Sequence, residues 1–341
     1  MLIPRNRRVA LLLAACLAVA PAAAQTAIEP LKSIEINVAN APGGGYDQYA
    51  RVIARYLPRH LPGAPTIVVK NMPGAGGARA ANFMASVAPR DGSVLALLTR
   101  EIALAPLLAP NQASYQFKAQ ELNWIGSPLQ DVGLFVINTA APAQTLAQLK
   151  TMQISVAGTG PGSGPTTFPH VLNEVLGLKL KGVAGYPGSQ EALLAVEKGE
   201  SDGHISGGSS AAFRNRINPL IADGKMKMLM QLGMTKDQEY PDAPLIFDLV
   251  SNPETRKLLE LIFAPQYLGR PIVAPPGVPA ARVAELRRAF DAVLADPEFL
   301  SEAAKQRMDI NHVSGADLAR MIDKVHGYPA DLIKRATALA Q

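Results

Sequence analysis

The sequence predicts an α/β protein of two similarly built lobes with a cleft between them. Strand-like and helix-like periodicities alternate through most of its 341 residues. A glycine-rich loop near residue 43 ends one strand and opens a helix, and the same order restarts near residue 154. Such alternation argues for mostly parallel sheets.

The first unit begins with Ile34-Glu35-Ile36-Asn37-Val38, apolar at alternate positions as in a strand. The loop Ala41-Pro42-Gly43-Gly44-Gly45-Tyr46-Asp47 follows, and Tyr49, Val52, Ile53, Tyr56 and Leu57 mark one face of a helix. Three glycines let the backbone bring its N–H groups close to a ligand. The helix N-terminus adds partial positive charge, so the geometry suits an anion. The alternative is a tight turn whose glycines only meet awkward dihedrals. Residues 66–70 read as a second strand, 71–77 (Asn-Met-Pro-Gly-Ala-Gly-Gly) as a second glycine loop and 78–88 as a helix. Residues 94–98 form a third strand that opens onto Thr99-Arg100-Glu101. Residues 133–137 make another strand, and 138–145, with Pro142, a crossing into a new unit.

That unit repeats the pattern. Residues 154–157 are a strand, Gly158-Thr159-Gly160-Pro161-Gly162-Ser163-Gly164 a loop, and 166–176 a helix that Thr166 or Thr167 can cap. Gly185-Tyr186-Pro187-Gly188-Ser189 opens a helix over 190–198, residues 204–210 follow a short strand, and 226–232 are a further strand. After the polar link 238–244, a helix near 253–263, a strand at 271–274 and helices after Pro279 and Gly315 return to the first unit. Lobe 1 is therefore expected over 25–138 plus 260–341, and lobe 2 over 139–259.

The opening of the chain belongs to export. Arg5, Arg7 and Arg8 precede an apolar run, and Ala22-Ala23-Ala24 reads as a cleavage site before Gln25. Cleavage removes residues 1–24 with their three arginines, which lowers the formal charge from +5 to +2. The basic balance is then partly a property of the signal, and nothing argues for nucleic acid. The sole cysteine, Cys16, lies in the signal. Read as a lipoprotein box it would leave an apolar stretch of only about five residues, against roughly 7–15 in ordinary signals. The mature chain is left without thiols or disulfides and with a periplasmic address, and the full sequence, 48% hydrophobic but only 5% aromatic, implies an aliphatic core.

A search for chemistry returns little. His60, His170, His204, His312 and His326 share no metal-binding spacing, and no phosphate-loop motif occurs. Gly158-Thr159-Gly160-Pro161-Gly162 starts like a dinucleotide fingerprint, but Ser163 occupies the third glycine's position. Gly207-Gly208-Ser209-Ser210-Ala211 approaches a nucleophile elbow and ends in alanine. An exported serine hydrolase using Ser209 is the alternative reading. The favoured one is a binding protein that is not an enzyme, with no cofactor and no metal.

Several segments together resemble the periplasmic solute-binding proteins of tripartite tricarboxylate transporters, the Bug or TctC family. Pro42-Gly43-Gly44-Gly45-Tyr46-Asp47 with Ala50-Arg51 is similar to the family's P-G-G-G-x-D-x-x-A-R, and Asn71 to Gly77 to its N-x-P-G-A-G-G. Gly160 through His170 resembles its second-domain loop, Tyr186-Pro187-Gly188-Ser189 its Y-[KR]-G-[ST], and 273–279 its A-P-x-G-x-P. The resemblance implies a type II periplasmic binding fold, a Venus flytrap whose two α/β lobes close on a carboxylate held by backbone N–H groups and waters. It further implies delivery to integral membrane transporter subunits. The receptor is expected to be a monomer. Pro187 replaces the family's basic residue, and 204–210 lack an aspartate that many relatives carry, which favours a plain carboxylate over an amino acid.

The expected ligand-binding set is Gly43, Gly44, Gly45, Tyr46, Asp47, Arg100, Gly162, Ser163, Gly164, Thr166, Thr167, His170, Tyr186 and Ser189. Each has a plainer role beside it. Asp47 suits the free N–H groups of its own helix, and Ser163, Thr166 and Thr167 can cap theirs. His170 can pack inside its helix. Arg100, at the open end of a strand, suits a bidentate carboxylate contact and can instead pair with Glu101.

Overall fold

The structure, a computed structural model, describes residues 29–108, 114–160, 163–208 and 210–339. The expected signal peptide and its cleavage site, Cys16, Gly162 and Ser209 lie outside the described residues.

In chain order the first part comprises β1 (Ser33–Val38), α1 (Gly45–Tyr56), β2 (Thr66–Asn71), α2 (Ala78–Ser86), β3 (Val94–Leu97), α3 (Ala105–Leu108) and β4 (Asn123–Ser127). The second comprises β5 (Gly133–Asn138), α4 (Leu146–Leu149), β6 (Ile154–Ala157), α5 (Gly164–Leu176), β7 (Leu180–Val183), α6 (Ser189–Glu197), β8 (Gly203–Ile205), α7 (Ala211–Ala222) and β9 (Met226–Leu232). The return leg is α8 (Pro253–Leu268), β10 (Ile272–Ala274), α9 (Ala280–Ala295), α10 (Pro297–Lys305), β11 (Val313–Ser314), α11 (Gly315–His326) and α12 (Ala330–Leu339).

These strands form two sheets, ordered β11-β4-β10-β3-β1-β2 and β7-β6-β8-β5-β9. Each sheet has apolar clusters on both faces, which is why its central strands are buried without alternation, as in Leu95 to Leu97 and Leu134 to Ile137. The predicted stripe of α1 is the buried one: Tyr49, Val52, Ile53 and Tyr56 lie against Ile34, Ile36 and Val38. α8 joins the two halves. Leu258, Leu261 and Leu268 pack under the first sheet, while Leu259 and Phe263 reach the second, where Phe263 meets the ring of Phe168 at 5.3 Å.

Two expectations change. The sheets are mixed rather than mostly parallel: five of the nine strand pairings among the described residues are antiparallel. The reason is the double crossing. β5 and β10 are the first strands laid down after the chain changes lobe, and each inserts against the direction of its neighbours. The crossing also comes earlier than residue 138, because β5 is hydrogen-bonded to β8 and β9 in the second sheet. The chain therefore changes lobe over 128–132 and returns along α8.

The two crossing segments are stitched together. Asp131 donates its N–H to the Gln266 carbonyl at 2.8 Å, and Arg270 donates its N–H to Ser127 Oγ at 2.9 Å. Gly269 (φ +59, ψ −99) packs so closely that a Cβ on it would lie 1.7 Å from the Leu129 carbonyl oxygen.

Candidate ligand-binding cleft

The helices that follow glycine loops share a trait. α1, α2, α5 and α6 begin at Gly44, Gly77, Ser163 and Gly188 with no side-chain hydrogen bond on their first N–H groups. By contrast α4, α7, α8, α10 and α11 are closed by Thr145, Ser210, Asn252, Asp296 and Ser314. Uncapped N-termini leave donors and partial positive charge available to an anion.

Asp47 shapes the first loop from within. Its Oδ2 accepts from the Gly43 N–H and from Arg51 Nε, both at 2.9 Å, and its Oδ1 accepts from Asn71 Nδ2 at 2.9 Å. The Arg51 hydrogen bond and the others hold its carboxyl at about 2, below the usual carboxylate range. Both oxygens are thus used within the protein, on the loop N–H of Gly43 and on Arg51 and Asn71 rather than on the free N–H groups of α1. Gly43 sits at φ +83, a conformation that glycine alone adopts freely. Tyr46 reaches across: its hydroxyl accepts the Arg100 N–H at 3.2 Å and donates to the Gly269 carbonyl at 3.3 Å. Burial, reinforced by the charge of Glu101, pushes that phenol up to about 12, so it stays protonated.

Arg100 is engaged. Its Nη1 meets Asp131 Oδ2 at 2.6 Å and its Nε meets Glu101 Oε1 at 2.8 Å. The guanidinium also approaches the second lobe, 4.0 Å from where a Cβ on Gly207 would stand.

On the second lobe the loop hydroxyls bond among themselves. Ser163 Oγ lies 2.7 Å from Thr159 Oγ1 and donates to the Gly160 carbonyl at 2.7 Å, while Thr166 Oγ1 donates to the carbonyls of Thr159 and Gly160. Below them His204 is buried, its Nδ1 2.7 Å from the Ala157 carbonyl, and burial pulls its pKa down to about 4.

The lobes meet around a cavity of about 170 Å³. Arg100 and Glu101 line it from the first lobe, and Gly164, Thr167 and Phe168 from the start of α5. Leu261, Ile262, Pro265 and Gln266 of α8 form its wall. Of the expected residues, Arg100, Gly164 and Thr167 come together here, with Tyr46 bonded to the backbone of Arg100 at the margin. Tyr186 and Ser189 stand at the start of α6 and do not line this cavity. His170 is solvent-exposed on α5, neither packed nor facing the cavity. α5 turns its Phe168, Val171 and Leu172 face to the sheet instead.

Sequence reasoning missed Asp131, Gln266, Arg270 and Asp309. Asp309 is a second tie between the lobes. Its side chain accepts the Ala211 N–H at 2.8 Å and pairs with Arg214 of α7, and its carbonyl accepts the Tyr49 hydroxyl at 2.6 Å. Periodicity carries no signal for such residues, because their partners lie far along the chain: Asp131 pairs with Arg100 31 positions away, and the partners of Asp309 are over 90 away.

Two mixed α/β lobes, doubly connected and enclosing a cavity at strand carboxyl ends, define a periplasmic-binding-protein fold. A profile described as Tripartite tricarboxylate transporter family receptor matches residues 49–337, and the chain belongs to that family of solute-binding receptors. It is 27% identical over 342 aligned positions to the UPF0065 protein in gbd 5'region of Cupriavidus necator, covering 95% of this chain and 91% of that one. A TctC solute-binding protein from Polaromonas superposes with a TM-score of 0.69 at 20% identity, covering 89% of this chain and 98% of that one. R. palustris Rpa4515 with adipate superposes with a TM-score of 0.56 at 18% identity, covering 90% and 97%. Among the described residues no helix is long and apolar enough to cross a membrane, and no cluster of potential metal ligands occurs.

Proposed function

We propose that this receptor captures a small organic carboxylate outside the cytoplasm, between its lobes, and hands it to integral membrane transporter subunits. The observation that carries the reading is one cavity shared by the open end of β3 and the uncapped start of α5. Its volume, about 170 Å³, is near the roughly 150 Å³ that holds a benzene ring in an engineered protein cavity. That size suits a small acid. Adipate in the Rpa4515 structure supports the same class.

Helix N-termini alone do not suffice. Each contributes about 0.3–1 kcal/mol, up to about 2 when partly buried, whereas micromolar affinity requires about 8. Side-chain hydrogen bonds, waters and apolar wall contacts supply the rest. Ligand bridging the lobes favours the closed arrangement, and hinge motion about 128–132 and 266–270 releases it.

Native mass spectrometry of protein purified without denaturation, followed by thermal titration with adipate, succinate, citrate and benzoate, tests the reading. A retained carboxylate, or a concentration-dependent rise in Tm with one of the four, is the expected result. No retained ligand and four flat titrations at millimolar concentration would overturn it.

A further inference from the structure

Arg270 occupies the junction of the two crossings with its charge unmatched. Its guanidinium carbon lies 4.4 Å from the ring centroid of Tyr49 and 5.4 Å from that of Tyr46. Its Nη2 stands 3.3 Å from where a Cβ on Gly45 would be, against the first turn of α1. Nε and Nη1 are shut off from solvent and donate to no acceptor. Two aromatic faces offer a desolvated cation only a modest cation–π attraction. Leaving buried donors of a charged group unmet costs more than that.

The nearby carboxylates are committed elsewhere. Asp131 and Glu101 hold Arg100, and Asp309 holds Arg214 and the start of α7. Asp47, in the first turn of α1, is spent on the Gly43 N–H, Arg51 and Asn71, so the cation beside that helix start has no carboxylate bonded to it.

We propose that Arg270 is the residue that takes the ligand's carboxylate, rather than Arg100, whose guanidinium serves to tie the lobes. The proposal rests on the receptor reading above and deepens it by placing the carboxylate at the start of α1, beside the cavity of about 170 Å³, which neither Arg270 nor Gly45 lines. A carboxylate that accepts from Arg270 also faces the N–H groups at the start of α1, so side chain and helix act on one charge. Because the Arg270 N–H is bonded to Ser127 where the first crossing leaves the sheet, ligand charge is felt at the hinge itself.

The test uses the mature chain and the four acids named above. Titrations compare the natural protein with Arg270→Gln, Arg270→Lys and an exposed control, Arg320→Gln on α11. Arg270→Gln should weaken the binding acid about 10- to 100-fold, as expected for loss of a charge-assisted bond. Arg270→Lys should recover part of it, and the control should match the natural protein. In parallel, the Arg270 Nε–H resonance, identified by contacts to the ring protons of Tyr46 and Tyr49, should move on addition of the acid. That readout needs no variant to fold. An unchanged affinity in Arg270→Gln, or an unmoved resonance at saturation, overturns the proposal while leaving the receptor intact. Failure of the natural protein to bind any of the four, with no carboxylate retained through purification, overturns both.

Discussion

Arg100 and Asp131 meet at 2.6 Å, Nη1 to Oδ2, and so tie the end of β3 to the segment that leads into the second lobe. Their side chains are 24% and 16% exposed, which places the pair between a surface salt bridge and a buried one. Asp131→Asn should lower unfolding stability by about 1–2 kcal/mol and enlarge the radius of gyration of the unliganded protein. Denaturant titration and small-angle scattering measure the two. An unaltered scattering profile would leave the pair a local contact without a role in lobe spacing.

Gly44 should prove a functional glycine rather than a structural one. Its φ is −80 and a Cβ there meets only the Ala41 carbonyl oxygen, at 3.8 Å, so a side chain fits the fold. Gly44→Val is expected to keep the natural Tm within a few degrees and to lose the ligand-induced rise in Tm. A preserved rise would remove the first loop from the site.

Gly269 should behave in the opposite way. A Cβ at φ +59 would both strain the backbone and strike the Leu129 carbonyl. Gly269→Ala should cost about 3 kcal/mol or more in urea unfolding. A cost below about 1 kcal/mol would mean that the crossings are not held as closely as described.

Acid should act in two stages. His204 binds its proton more weakly in the folded state, at about 4 against an ordinary 6.5, so the unfolded chain takes up protons first as pH falls. Stability is full above pH 6.5 and declines toward pH 4, by on the order of 3 kcal/mol. Asp47, held at about 2 against an ordinary 3.8, contributes stability above pH 4 that is lost as pH falls through 2. Screening by the half-exposed Arg51 keeps that second loss to about 1–2 kcal/mol. His204→Gln should flatten the first stage alone, and Asp47→Asn the second. A pH profile that His204→Gln leaves untouched would assign the first stage to another group.

How much of this was legible beforehand follows from the range of each interaction. The α1 stripe of Tyr49, Val52 and Ile53 lies within one helix, and its period is written in consecutive residues. The glycine loops were legible for the same reason, since Gly43, Gly74, Gly76 and Gly77 all take positive φ. Mixed strand direction was not, because β5 and β10 look like any apolar strand until the chain is known to cross between lobes.

By itself the sequence determined the α/β class, the two glycine-loop units and the family to which they belong, all of which depend on local spacing. Tertiary structure alone decided the allocation of charge. It put Asp131 on Arg100, Asp309 on Arg214, and left Arg270 between two tyrosines without an acid. Coulombic and hydrogen-bond energies depend on separation in space, and the double crossing brings together residues that the chain keeps far apart.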